Sequence, residues 1–216
     1  MTVRRVETRH LYPIFEPDTE SAGCIMTSHR IAIIYGTRYG QTTKIAERMK
    51  QVLTDAGHGV WIGRADTLSR HFSASEYDGV IIGGSVIAGR HQRYLERFVR
   101  AHRDELTQMP SAFFSVSGSA GGSTEQDQAN ARRVLDAFLT KTGWHPRTTA
   151  TVAGAMAFTK YGVFTRMLLK RISRREGGPT DTSRDHELTD WNQVARFAGD
   201  FAASLPEPAA ASCAQP

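Results

Sequence analysis

The sequence predicts an α/β protein built on a doubly wound, five-stranded parallel sheet in the order 2-1-3-4-5, with helices on both faces. Three observations predict it. Short apolar runs without alternation, as in Ile31–Tyr35 and Val80–Ile82, read as strands covered on both faces. Between such runs the apolar residues recur at helical spacing, so strands alternate with helices and pair in parallel through right-handed crossovers. The runs end in small, hydroxyl-bearing and glycine-bearing stretches at Gly36–Thr43, Gly83–Gly89 and Ser115–Gly118, where a sheet of that order gathers its ligand.

Each element follows from local chemistry. Residues 1–29 hold Pro13 and Pro17 and no sustained period, so they read as a loosely ordered extension ahead of a single domain over 30–205. The first strand, Ile31–Tyr35, is cut by Gly36, and a helix with Ile45, Ala46, Met49, Val52, Leu53 and Ala56 on one side follows. Gly57 and Gly59 stop that helix before a short second strand, Val60–Ile62. A weak helical piece is expected at Thr67–Phe72, then a third buried strand at Asp78–Gly84. Tyr94, Leu95, Phe98, Val99 and His102 place one helix over His91–Leu106, and Pro110 precedes the fourth strand, Ala112–Val116. The next helix is Gln126–Thr140 and the fifth strand Thr149–Ala155. A basic helix at Tyr161–Ser173 is broken by Gly177-Gly178-Pro179, and a last helix, Trp191–Leu205, is capped by Thr189 or Asp190. The Ala/Pro-rich Pro206–Pro216 reads as a disordered tail.

Composition narrows the function classes. The 216 residues, 40% of them hydrophobic, suffice for one packed α/β domain. No apolar run approaches the roughly 20 residues that span a bilayer, and Met1–Arg30 is studded with charge and lacks an apolar signal core, so a cytoplasmic protein is expected. Cys24 and Cys213 lie in the two tails and the eight histidines show no ligand spacing, which points away from a disulfide framework and from a metal centre. Redox chemistry would then come from a bound cofactor. A formal charge of +5 and a pI near 9.5 call for an anionic partner without choosing among phosphate ligand, carboxylated substrate, acidic lipid and nucleic acid.

The loop after the first strand is the sharpest local signal. Thr37, Arg38, Tyr39, Gly40, Gln41 and Thr42 bring hydroxyls, a guanidinium and a glycine to a helix amino end, where unpaired N–H groups and the helix dipole favour a phosphate. The Gly-Lys-Ser/Thr ending of a Walker loop and the three spaced glycines of a dinucleotide fingerprint are both missing. The pattern T-x-x-G-x-T instead resembles the FMN-phosphate loop of the flavodoxin family.

A longer set of segments resembles the flavodoxin-like, quinone-dependent protoporphyrinogen IX dehydrogenase family. These are TRYGQTTKIA, YDGVIIGGSV with Gly89 and His91 after it, MPSAFFSV, GWHP at Gly143–Pro146, VAGAM at Val152–Met156, GGPTDT at Gly177–Thr182 and TDWNQVARFA at Thr189–Ala198. They cover most of 31–205, and the family-specific part is the GGPTDT and TDW ending. The resemblance implies FMN with its phosphate on Thr37–Thr42 and its ring between the loops Ser85, Val86, Ile87, Ala88, Gly89 and Ser115, Val116, Ser117, Gly118. It implies oxidation of protoporphyrinogen IX to protoporphyrin IX, a step of heme biosynthesis, with electrons passed to a membrane quinone. Two features depart from the family. An aromatic residue of the third-strand loop is replaced by Ala88, and the basic stretch after the fourth strand reads GSAGGSTEQD at 118–127.

Two further readings concern charge. Lys160, Arg166, Lys170, Arg171, Arg174 and Arg175 form a basic helical face without an acid, suited to peripheral attachment to an anionic membrane surface and, lacking interleaved aromatics, not to nucleic acid. His91 follows the third-strand loop and is the one histidine placed to touch ring or substrate. The rival functions are a flavodoxin-type electron carrier, against which the basic charge argues, and an NAD(P)H:quinone flavin reductase. Quinone type and homo-oligomerisation are not written in the sequence.

Overall fold

In the computed structural model, which describes residues 28–68, 72–156 and 186–207, β1 (Arg30–Gly36), β2 (Gly59–Arg64), β3 (Gly79–Ser85), β4 (Ser111–Ser117) and β5 (Thr148–Ala153) form one parallel sheet in the order β2-β1-β3-β4-β5. Helices α1 (Gln41–Asp55), α2 (Arg93–Ala101), α3 (Arg103–Gln108), α4 (Glu125–Thr142) and α5 (Trp191–Ala203) accompany it. The expected architecture and strand order are those observed.

Both faces of the sheet are covered, for the reason the unalternating strands suggest. In β1, Ile31, Ile33 and Tyr35 point to one face and pack with Ile45, Met49 and Leu53 of α1 and Val194, Phe197 and Phe201 of α5. Ala32 and Ile34 point to the other, with Leu95 and Phe98 of α2, Phe138 of α4 and the fully buried Trp144. Register places Tyr35 beside Gly83 and Gly83 beside Phe114. A Cβ on Gly83 would overlap the Phe114 ring, so this glycine is needed for packing, not for a turn.

Several elements differ from expectation. No helix occupies 67–68 or residue 72; Thr67 lies in a turn, and a short 3-10 segment follows at Ala74–Glu76. Phe72 is held by rings, stacking on Trp61 at 5.7 Å and on Tyr77 at 5.8 Å, so packing overrides its helical propensity. The helix expected over His91–Leu106 is two helices, broken at His102, whose imidazole lies 3.0 Å from Phe98 O and 3.2 Å from Phe72 O. The last helix is capped by Asp190, whose carboxylate accepts from the N–H groups of Asn192 and Gln193, and Thr189 is used elsewhere. A two-stranded antiparallel piece, β6 (Ala155–Met156) with β7 (His186–Glu187), follows β5. The extension before residue 28, the basic helix with Lys160 to Arg175, the GGPTDT segment and the tail after 207 lie outside the described residues. Among the described residues no helix is long and apolar enough to cross a membrane.

Candidate functional site

The strand order reverses between β1 and β3, so the crevice at their carboxyl ends is where this topology places a ligand. A cleft of about 230 Å³ lies there, lined by Arg38, Tyr39, Ile87, Arg90, His91 and Gln92. A larger hollow of about 400 Å³ sits at the opposite, amino end, among Val52 and Leu53 of α1, Ala56 just after it, Ala202, Leu205 and the pair His29–His58. Burial first, then the neighbouring His29, lowers the His58 pKa. Among the described residues no loop from a strand's carboxyl end lines that hollow, and topology favours the smaller cleft as the site.

The first wall is built from β1. Tyr94 reaches back from α2 and clamps the loop: its hydroxyl accepts from Thr37 N–H at 2.9 Å and donates to Thr37 O at 3.1 Å. Burial is the main cause of the raised Tyr94 pKa, so the phenol stays protonated and keeps that donor. Thr37 Oγ1 accepts from Gly40 N–H at 3.0 Å, and Gly40 takes φ 94 in open space, a conformation that costs other residues strain. Helix α1 then starts without any side-chain cap. Thr42 is fully buried in its first turn, and its hydroxyl has no hydrogen-bond partner among the described residues. Uncapped amides at a positive dipole end beside an unsatisfied hydroxyl are what a phosphate would complete, so these residues fit the phosphoryl end of a mononucleotide.

Gln41 behaves otherwise. Its carboxamide donates to Thr189 Oγ1 at 2.8 Å, and Thr189 donates to Ala153 O at 2.8 Å, so one N–H of the Gln41 side chain is engaged at the end of β5. That chain ties α1 to the end of β5, with Lys44 and Glu187 3.5 Å apart alongside.

The second wall follows β3. Ile87 and Arg90 exchange backbone hydrogen bonds of 2.8 and 3.1 Å around Ala88 (φ 49) and Gly89 (φ 72), the two positive φ values of a tight type I′ reversal. The turn holds Ile87 outward, the one large hydrophobic exposed among the described residues. Val86 N–H continues the ladder onto Val116 O at 2.8 Å.

The third expected segment is more buried than its composition suggests. Strand β4 runs through Ser117, so Ser115, Val116 and Ser117 are strand residues with buried side chains, and the true loop starts at Gly118. Val116 belongs to the core, and Ser117 Oγ accepts from Ala120 N–H at 3.2 Å. Ser115 Oγ lies 3.0 Å from Nε2 of His91. The His91 ring is wedged between Phe138 at 4.8 Å and Phe113 at 5.4 Å, and burial pushes its pKa down to about 4, so the cleft wall it forms is neutral.

Sequence reasoning missed Tyr94, Gln92 and Thr189. Tyr94 reads as one member of an apolar stripe, and nothing local reveals a contact 57 residues away. Among the described residues no group of three His, Cys, Asp or Glu could hold a metal ion.

Comparison with known proteins bears on the same region. The flavodoxin domain family model matches residues 32–183. Protoporphyrinogen IX dehydrogenase (quinone) of Escherichia coli is 34% identical over 179 residues, 82% of this chain and 96% of that protein. The protein of the same name from Leishmania major is 31% identical over 180 residues, 82% of this chain and 76% of that one. Oxidised Flavodoxin 1 from Bacillus cereus superposes with a TM-score of 0.49 at 16% identity, over 82% of this chain and 99% of that one.

Proposed function

Because the chain belongs to the quinone-dependent protoporphyrinogen IX dehydrogenase family and carries a flavodoxin domain, we propose that it oxidises protoporphyrinogen IX to protoporphyrin IX, using FMN and a quinone acceptor. The observation that carries the cofactor reading is the uncapped start of α1 with the buried, unbonded Thr42 hydroxyl beside it. FMN, when bound, supplies the redox chemistry, taking electrons from the substrate and passing them to the quinone.

The chain's own residues bind, orient and shield. The first amides of α1, the Thr42 hydroxyl and the Arg38 guanidinium hold the phosphate, while Tyr94 keeps Thr37 in place. The turn at Ala88–Gly89 and the loop from Gly118 flank the ring, with neutral His91 behind them. Exposed Arg90 adds positive charge at the cleft rim, which suits a carboxylated substrate. We assign no obligatory acid or base. The basic run from Lys160 to Arg175 docks the protein on anionic lipid, each charge near the surface contributing about 1 kcal/mol, and so brings it to a lipid-soluble acceptor.

A second reading, an NAD(P)H:quinone reductase, is favoured by one observation: 118–127 carries Glu125 and Asp127 and no base. Anaerobic addition of protoporphyrinogen IX, and separately of NADPH, to the FMN-loaded protein tests both. Flavin bleaching by the porphyrinogen is the expected result; bleaching by NADPH alone would replace the first reading with the second. Salt-sensitive co-sedimentation with vesicles containing anionic phospholipid checks the docking, and equal sedimentation with neutral vesicles would refute it.

A further inference from the structure

Gln92, which lines the cleft, holds a buried polar atom without a partner among the described residues, as Thr42 does in the first turn of α1. It is the residue before α2 and turns its carboxamide back to the end of β3, where Nε2 donates to Ser85 O at 2.9 Å and to Ser85 Oγ at 2.7 Å. A backbone carbonyl can only accept, so the nitrogen must face Ser85 and the amide orientation is fixed. Oε1 therefore points the other way, and it is buried with no partner among the described residues. A Cβ built on Gly36 would stand 2.9 Å from Oε1, which puts this oxygen against the carboxyl end of β1, one residue before Thr37. Arg38 and Tyr39 of the first loop and Ile87 and Arg90 of the second line the same cleft.

We propose that Gln92 is a specificity-determining residue for the cofactor: its Oε1 accepts a hydrogen bond from a hydroxyl of the linker joining the phosphate to the ring. The inference rests on the FMN reading and deepens it. With a phosphate at the start of α1 and a ring beside the β3 turn, the linker has to cross the crevice between β1 and β3, which Gln92 lines and beside whose β1 wall, at Gly36, Oε1 is held. That linker in FMN is a polyhydroxylated chain, a series of O–H donors, and a buried acceptor without a donor is costly until one arrives. The carboxamide thus recognises flavin phosphates whose linker bears hydroxyls, as distinct from any phosphate or any flat ring.

The test compares FMN with a flavin phosphate whose linker hydroxyls are replaced by hydrogen, titrated into the apoprotein and read by quenching of flavin fluorescence. Wild type is expected to prefer FMN by about tenfold, the share of one buried hydrogen bond. Gln92→Met, which keeps length and apolar packing against Gly36, is expected to bind the two flavins alike. A wild type that does not discriminate, or a Gln92→Met protein that still does, overturns the proposal. The side-chain carbonyl ¹³C resonance of Gln92 in wild type gives an answer free of any variant: it should shift with FMN and stay with the hydroxyl-free analogue, and equal shifts would refute the contact. If the apoprotein binds neither flavin, the FMN reading itself falls, and this inference with it.

Discussion

Nε2 of His91 lies 3.0 Å from Oγ of Ser115, inside a box closed by the rings of Phe113 and Phe138. The pair joins the residue after the β3 turn to the fourth strand, so the wall of the cleft and β4 share one contact. A proton on this imidazole would have to be carried into an aromatic enclosure.

That sets a pH dependence whose sign is fixed. The folded-state pKa is pushed down to about 4 from the ordinary 6.5. Between those values the unfolded chain takes up a proton that the native state refuses, so stability rises with pH across the window and levels off above it. About 3 kcal/mol of stability should be lost on going from above pH 6.5 to pH 4 through this residue. Urea unfolding at pH 4.5 and 7.5 measures it, and His91→Phe should flatten the difference.

Thr42→Val separates the roles of binding and folding. The hydroxyl has no partner among the described residues to lose, and a methyl of similar size fits the same buried space. The apoprotein should melt at the same temperature or slightly higher, while FMN affinity drops about tenfold or more, the worth of one charge-assisted hydrogen bond. Paired calorimetry of the apoprotein and FMN titration reads both; loss of stability with unchanged affinity would show that the first turn of α1 was assigned the wrong role.

Gly83→Ala tests packing under the site. Its Cβ would meet the Phe114 ring on the neighbouring strand, which is itself buried and cannot swing out. A cost of about 1–3 kcal/mol is expected from overpacking. Gly40→Ala should cost about 1 kcal/mol for a different reason, since space around it is open and only its positive φ is at issue. Denaturant midpoints of the two variants distinguish a ring clash, relieved by a second change Phe114→Leu, from backbone strain, which that change leaves untouched.

The TDW segment has a structural account. Asp190 caps α5 through two amides, and Thr189 bridges Gln41 to Ala153. Asp190→Ala should destabilise by about 1 kcal/mol. Thr189→Ala should loosen the first turn of α1, seen as faster hydrogen exchange at residues 41–44 with α5 unaffected.

What could be read in the sequence was what depends on local chemistry. Ile31–Tyr35 without alternation, Gly36 after it and threonines before an apolar helical rhythm lead to strand, loop and helix without knowing anything distant. His102 could not be read as a break, because the helix ends there through a contact with the Phe72 backbone, 30 residues away. Ser117 lies beyond the strand end read at Val116, and it is strand because β5 pairs along Ala112–Ser117, with Ser117 opposite Ala153. Tyr94 acts on a residue of another loop 57 positions away, and Gln92, though only seven residues from Ser85 of β3, acts through a side-chain amide that no apolar periodicity marks.

The hollow at the amino edge is bordered by both His29 and Glu207, at the two ends of the described chain. The candidate crevice opens at the other edge, where the strands finish. A fluorophore, affinity handle or surface tether joined near either of those ends therefore leaves the crevice facing outward, and a permuted chain that links 207 to 29 and reopens at the exposed Ala88–Gly89 reversal would put new termini at the mouth of the crevice itself.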